Sequence, residues 1–110
     1  TTENIFAQAF IGNPDVLSHP LVGKLYDSNG WTPLHILASK GKLGILEHVL
    51  AWNVIDSKGR TPIHWLNAQM SIPVQEFKKR YPEFTGDEVT EDIINEYLEK
   101  QNAERFISNL

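Results

Sequence analysis

The chain has 110 residues, 41% of them hydrophobic and 22% charged, and these proportions exclude a wholly disordered protein. It has no cysteine, which excludes a disulfide framework, a thiolate metal site and a cysteine nucleophile, and no apolar run approaches the ~18–20 residues of a membrane helix. The net charge is −4, with seven acidic and two basic residues in residues 85–110, so a nucleic-acid backbone is disfavoured as a partner.

The sequence repeats itself at an offset of 29 residues. Residues 27–35 have the sequence Asp-Ser-Asn-Gly-Trp-Thr-Pro-Leu-His, and residues 56–64 have the sequence Asp-Ser-Lys-Gly-Arg-Thr-Pro-Ile-His. Weaker matches extend the offset in both directions, for example from Gly41 back to Gly12 and from Thr61 forward to Thr90. Such a period indicates a stacked-repeat architecture. We predict one domain over 1–110 with four units, at about residues 3–31, 32–60, 61–89 and 90–110.

The central units each pair a turn with a helix start. Asp27 and Asp56 stand first in the turns, and a glycine three residues later supplies the permissive backbone. Thr32 can cap the free backbone N–H groups of a helix, and the proline after it sits where its missing donor costs nothing. The same pattern predicts a second helix start at Thr61.

Apolar spacing predicts two helices in each unit. In the second unit the first helix ends at Gly41 in a left-handed turn, and a second helix follows over residues 43–50. In the third unit the second helix begins at Ser71-Ile72-Pro73, has Val74, Phe77 and Tyr81 as its apolar stripe, and stops at Pro82. The fourth unit begins at Thr90, where the acidic residues that follow favour a helix N-terminus. Its second apolar stripe consists of Ala103, Phe106, Ile107 and Leu110.

The pattern Asp-x-x-Gly-x-Thr-Pro-Leu/Ile-His, followed by glycine and a leucine-rich helix, resembles the ankyrin repeat. The resemblance is specific in residues 27–81. In the rest of the chain it is inferred only from the 29-residue offset. It implies an all-α solenoid of about four helix pairs joined by tight turns. The usual repeat has about 33 residues, so the loop at residues 51–55 is shortened here.

Ankyrin domains are rarely enzymes and typically bind proteins on a concave face formed by the turns and the first helices. The resemblance therefore implies a non-enzymatic protein-interaction module. The absence of cysteine fits a cytoplasmic protein, and we expect no cofactor, metal or membrane association. Carried onto this sequence, the concave face predicts these partner-binding residues: Asn29, Trp31, Lys40, Lys58, Arg60, Gln69 and Tyr97. An aromatic residue beside basic ones is typical of binding hot spots, and we expect Trp31, Lys40 and Arg60 to supply much of the affinity.

The four histidines do not have the spacing of a metal site. His35 and His64 hold the same place in successive units, which indicates one structural task done twice. The resemblance implies that this histidine hydrogen-bonds within the Thr-Pro-x-His turn. No two histidines stand four residues apart beside an acidic residue, as a zinc-binding helix requires.

Two other functions stay open as alternatives. The basic run at residues 78–80 lies between Phe77 and Tyr81, and basic residues with aromatics can bind nucleic acid. However, Phe77 and Tyr81 are four residues apart, so we expect both to face the core and leave an ordinary solvated face. The other alternative is a regulatory piece of a larger enzyme.

Three further features have structural interpretations beside functional ones. Trp52 fills the gap left by the shortened loop, or else it is an exposed contact residue. Glu88 forms a capping box with Thr85 rather than a general acid–base pair with Asp87. The acidic last unit is the polar end of the solenoid, or else it docks a basic partner.

Overall fold

The computed structural model describes residues 2–108, with side chains described for residues 4–101. The described residues are all-helical without a strand, which confirms the predicted fold class. The helices are α1 (Thr2–Phe10), α2 (Pro33–Ser39), α3 (Pro62–Gln69), α4 (Val74–Arg80) and α5 (Glu91–Ser108), with 3₁₀ segments at Pro14–Ser18, Leu43–Glu47 and Val49–Trp52. The chain forms two compact units, Thr1–Met70 and Ser71–Leu110. One domain with four stacked repeats stays a prediction.

The predicted helix starts of α2 and α3 are confirmed. Thr32 and Thr61 are the N-caps, each followed by proline, and their side-chain oxygens accept from the backbone N–H of His35 and His64. In return, the ring Nδ1 of each histidine accepts from the threonine N–H, at 3.1 and 3.0 Å. Two free N–H groups are thus satisfied at each helix start, with histidine in the place where a capping box has Glu or Gln.

The second helix predicted over residues 43–50 is confirmed only as helical turns and not as one continuous helix. Two 3₁₀ turns replace it, and they are separated at His48, whose backbone is extended (φ −91°, ψ 121°). The His48 ring explains the break, because Nδ1 accepts from the N–H of Leu50 at 3.1 Å and so caps the second turn. The predicted apolar face is also partly wrong, since Leu43 and Val49 are 43% and 55% exposed.

The 29-residue period is visible in the backbone beyond the matching sequence. His19 accepts from the N–H of Leu21 at 3.0 Å, as His48 does one period later. Positive φ angles occur in pairs at the same offset, 78° and 75° at Gly12 and Gly41, and 81° and 78° at Gly30 and Gly59. The first predicted unit therefore shares turn geometry with the second.

The core of Thr1–Met70 lies around α2, which packs between α1 and α3. All six residues from Pro33 to Ala38 are buried. Trp52 is only 2% exposed, and its Nε1 donates to the Leu46 carbonyl at 3.0 Å, which confirms that it fills the core. One period earlier stands Gly23, where a Cβ would lie 2.8 Å from Leu50 Cδ1.

The core of Ser71–Leu110 is an aromatic cluster, formed by Phe77, Tyr81, Phe84 and Tyr97. Phe77 is fully buried at its centre, with its ring centroid 5.0 Å from those of Tyr81 and Phe84 and 5.4 Å from that of Tyr97. The inward orientation predicted for Phe77 and Tyr81 is therefore confirmed. Aromatic pairs at these distances add to the free energy gained from burial.

The start of α5 differs from one expectation. No helix begins near Thr85, so the capping box with Glu88 is wrong, and the helix starts at Glu91. Its cap is Thr90, whose hydroxyl accepts from the N–H of Ile93 at 3.2 Å. The backbone then continues as one helix to Ser108, without the predicted pair. The predicted second stripe at residues 103–110 lies outside the described side chains.

Candidate partner-binding surface

Two equivalent turns place the side chains of the candidate surface. Asp27 and Asp56 begin these turns, and each carboxylate accepts from the backbone N–H groups two and four residues further on, at 2.9–3.0 Å. A backbone bond from each aspartate N–H closes the turn on the carbonyl of Trp31 or Arg60 at 2.9 Å. Trp31 and Arg60 are consequently fixed at the same place in successive turns.

The two turns lie side by side and are joined by hydrogen bonds. Ser57 Oγ donates to the carbonyl of Asn29 at 3.3 Å, and a Cβ at Gly30 would lie only 2.9 Å from Ser57 Cβ. His35 Nε2 lies 2.9 Å from the carbonyl of Arg60. Because Nδ1 of His35 accepts from a backbone N–H, Nε2 carries the proton and donates to this carbonyl.

Two tryptophans and an arginine meet beside these turns, and we name Trp31, Trp65 and Arg60 the indole surface. The ring centroids of Trp31 and Trp65 are 4.7 Å apart with an interplanar angle of 47°. The guanidinium carbon of Arg60 lies 5.3 Å from the ring centroid of Trp65, within the range of a cation–π interaction. All three residues are partly exposed.

Asp56 holds two members of the indole surface in place by hydrogen bonds. Its Oδ2 accepts from Trp65 Nε1 at 2.8 Å, while Oδ1 accepts from the N–H groups of Lys58 and Arg60. Burial alone raises the pKa of Asp56, but these hydrogen bonds outweigh it and lower the pKa below its ordinary value. An ionised carboxylate therefore orients both Trp65 and the turn that carries Arg60.

His35 connects the start of α2 to the turn that ends at Arg60, and its ring is neutral. Burial lowers its pKa, although the hydrogen bond to the Arg60 carbonyl and the charges of Asp56 and Asp27 act in the opposite direction. Protonation would also place a hydrogen on Nδ1, where the ring now accepts from Thr32. The neutral ring is therefore the form that fits both neighbours.

Six of the seven predicted partner-binding residues form three equivalent pairs at the 29-residue offset: Asn29 with Lys58, Trp31 with Arg60, and Lys40 with Gln69. Asn29 and Lys58 are exposed in the turns, and Lys40 and Gln69 are exposed at the ends of α2 and α3. The structure brings Trp31 and Arg60 together through Trp65.

Tyr97, the seventh predicted residue, belongs to the other compact unit. Its half-exposed ring packs edge-on against Phe77 in the aromatic cluster. That packing gives Tyr97 a structural role, and its contact with a partner stays a prediction.

Trp65 is the residue that the sequence reasoning missed, because its helical spacing placed it in the core. One period earlier stands Ile36, which is 1% exposed, whereas Trp65 is only partly buried. The available signal is the change in size, since an indole does not fit the space of an isoleucine in an otherwise equal motif.

The other candidate sites have less structural support. Among the side chains of residues 4–101, no group of three or more His, Cys, Asp or Glu could hold a metal ion. Lys79 pairs with Glu76 at 3.1 Å, and the buried rings of Phe77 and Tyr81 offer no face for base stacking. None of the described helices combines the length and apolar character needed to span a bilayer.

Comparison with known proteins agrees with the turn and helix that carry Trp31. Residues 29–56 match the family model of the ankyrin repeat, and the match covers a single short repeat. Ankyrin repeats are in general protein–protein interaction modules. Searches of curated proteins and of solved structures each find no match.

Proposed function

We propose that the chain is a non-enzymatic, cytoplasmic interaction module that binds a partner protein through the indole surface. The observation that supports this most is the contact of Trp31 with Trp65 under the Arg60 guanidinium. Tryptophan and arginine are the residue types most enriched among binding hot spots. The ankyrin repeat match over residues 29–56 includes Trp31 and favours the same class of function.

The indole surface is well suited to binding because it is held rigid. Backbone bonds to Asp27 and Asp56 fix both turns, so little conformational entropy is lost when a partner orders them further. The Trp31 Nε1 has no acceptor among the described residues, so it can donate to an acceptor of the partner. A partner with a carbonyl beside an apolar patch would accept from the indole N–H and also cover the apolar ring of Trp31.

The exposed predicted residues form the polar margin of this proposed interface. Asn29, Lys40, Lys58 and Gln69 all retain access to solvent. Rim residues of interfaces are generally polar, and each contributes less than a buried anchor. We therefore expect Trp31, Trp65 and Arg60 to dominate the affinity, with Lys40 acting as a rim residue.

The repeat itself supplies substitutions that test the surface with little damage to the fold. One period away, the position of Trp31 holds Arg60 and the position of Trp65 holds Ile36. The double variant Trp31→Arg/Trp65→Ile therefore removes both indoles with side chains that the same motif already accommodates. The matched control is Leu43→Ala/Val49→Ala, which truncates two exposed apolar side chains of the 3₁₀ segments.

The experiment is quantitative capture of proteins from a lysate of the native cells on the immobilised whole chain. We expect at least one protein whose retention falls about tenfold or more in the double variant and is unchanged in the control. Far-UV circular dichroism and thermal unfolding establish that both variants are folded. Equal retention by the folded double variant, or no protein retained by the wild type, would contradict the proposal.

A further inference from the structure

A second candidate site lies within Ser71–Leu110, away from the indole surface in sequence. It is a cavity of about 290 Å³, which we name the Arg80 cavity, lined by Arg80, Tyr81, Glu83, Tyr97, Lys100 and Gln101. A water molecule occupies only about 30 Å³ of the liquid. The cavity therefore has room for a small organic acid or the side chain of a peptide.

Arg80 is a partly buried cation that has no counter-ion among the described side chains. In the part of the chain that the structure describes, its guanidinium donates from Nη2 to Gln101 Oε1 at 3.0 Å, also hydrogen-bonds the side chain of Tyr81, and pairs with no carboxylate. Its Nε is buried and has no acceptor among the residues that the structure describes. A desolvated charge without an opposite charge is unfavourable, and Ser71–Leu110 holds nine acidic residues that could have supplied one.

The neighbours of Arg80 orient its guanidinium rather than neutralise it. Gln101 Oε1 also accepts from the Tyr81 hydroxyl at 3.1 Å, and burial raises the pKa of Tyr81, which keeps that hydroxyl protonated as a donor. The guanidinium carbon lies 5.9 Å from the Tyr81 ring centroid. Arg80 is consequently held in place, with an Nε–H that has no acceptor among the described residues.

The charges at the margin nearly cancel. Lys100 Nζ lies 4.0 Å from Glu83 Oε1, and both side chains are more than half exposed. With Arg80, the lining carries a net charge of +1, in a compact unit whose acidic residues outnumber its basic ones. This balance suits a singly charged anion, whereas a doubly charged phosphate would bring excess negative charge towards Glu83.

We propose that the Arg80 cavity binds one carboxylate group of a peptide ligand. The planar guanidinium matches a carboxylate through two parallel N–H···O bonds, and Lys100 adds attraction at the margin. The carboxylate is either the C-terminus of the peptide or an Asp or Glu side chain. This site is independent of the indole surface, so each proposal can fail without the other.

The test is an NMR titration of the ¹⁵N-labelled whole chain with sodium acetate. The Arg80 Nε–Hε signal and the backbone amides of residues 80–83 and 97–101 are expected to shift and saturate together. Because this observation uses the wild-type chain, it does not depend on the folding of a variant. Shifts that do not saturate, or that spread over all cationic side chains, would overturn the proposal.

Two variants then distinguish the two-pronged hydrogen-bonding geometry of the Arg80 guanidinium from the effect of its positive charge. Arg80→Lys keeps the charge and loses this geometry, so the acetate affinity should fall about tenfold. Lys79→Gln removes the neighbouring exposed charge that pairs with Glu76, and should leave the affinity unchanged. Equal weakening by both variants would show a general charge effect and contradict a built site.

Other anions complete the test. Inorganic phosphate should bind more weakly than acetate, and tighter binding of phosphate would overturn the choice of a carboxylate. A short peptide with a free C-terminus and an amidated peptide with one Asp side chain distinguish the two sources. Binding of either supports the proposal and identifies the source, and binding of neither overturns it.

Discussion

The two compact units are stabilised in different ways. In Thr1–Met70 the same polar contacts recur at a 29-residue offset, as in the caps of Thr32 and Thr61. In Ser71–Leu110 the core depends on one fully buried ring, Phe77, with three aromatic neighbours. Equivalent polar contacts thus recur along one unit, whereas the core of the other is centred on one aromatic cluster. Substitutions of the recurring polar contacts should therefore have graded, paired effects, whereas truncation of Phe77 should have one large effect.

The largest expected effect is that of Phe77→Ala. Truncating a fully buried phenylalanine removes its apolar contacts and leaves a cavity, which should lower the free energy of unfolding by about 3–5 kcal/mol. Urea unfolding followed by far-UV circular dichroism measures the change. Phe77→Leu is the control and should cost less, because it leaves a smaller cavity. A loss below about 1 kcal/mol for the alanine variant would contradict a core centred on Phe77.

The next effect compares the two turns through Gly30→Ala and Gly59→Ala. Both glycines have a positive φ near 80°, so alanine should cost roughly 1–2 kcal/mol at either position. Gly30 should cost more, because its new Cβ would lie 2.9 Å from Ser57 Cβ, whereas nothing lies within 4 Å at Gly59. Thermal unfolding of both variants gives the ranking. Equal costs would show that the contact between the turns is looser than the structure indicates.

A smaller and nearly equal effect is expected at the two caps. Thr32→Ala and Thr61→Ala each remove a side-chain acceptor from a helix start and should cost about 1 kcal/mol. Thr→Ser at either position retains the hydroxyl and should recover most of the loss. Chemical unfolding of the four variants tests this, and a cost confined to one of the two alanine variants would show that the repeats are not energetically equivalent.

The smallest effect is a pH dependence from His35. Its folded pKa is lowered below 6.5, so the unfolded chain binds a proton that the folded chain excludes. The stability that His35 contributes is therefore fully present above pH 6.5 and is lost as the pH falls below that value. The lowered pKa of Asp56 contributes stability above pH 3.8 that is lost at more acidic pH.

The thermal midpoint should accordingly fall between pH 7 and pH 5, and His35→Gln should flatten that slope. His48, whose pKa burial also lowers, acts in the same direction and should leave some residual slope. A midpoint that rises as the pH falls, or an unchanged slope in the variant, would contradict a buried His35 whose ring is neutral in the folded chain.

Local signals were sufficient to predict the turns, the threonine caps and the inward orientation of Phe77 and Tyr81. Each of these depends on residues only a few positions apart. The break between the two 3₁₀ segments at His48 was not predicted. Apolar spacing does not indicate that a histidine ring will accept a hydrogen bond from a backbone N–H. The contact between Trp31 and Trp65 joins two repeats, and no spacing within one repeat encodes it.

The hydrogen bond from His35 to the Arg60 carbonyl has a practical consequence for building longer arrays. Its donor and its acceptor both lie within residues 32–60, so this segment contains the complete contact between helix α2 and the turn that ends at Arg60. A duplicate of residues 32–60 inserted after Arg60 would bring its own donor and its own acceptor. We therefore expect residues 32–60 to be insertable as one segment, which is about four residues shorter than the usual repeat of 33.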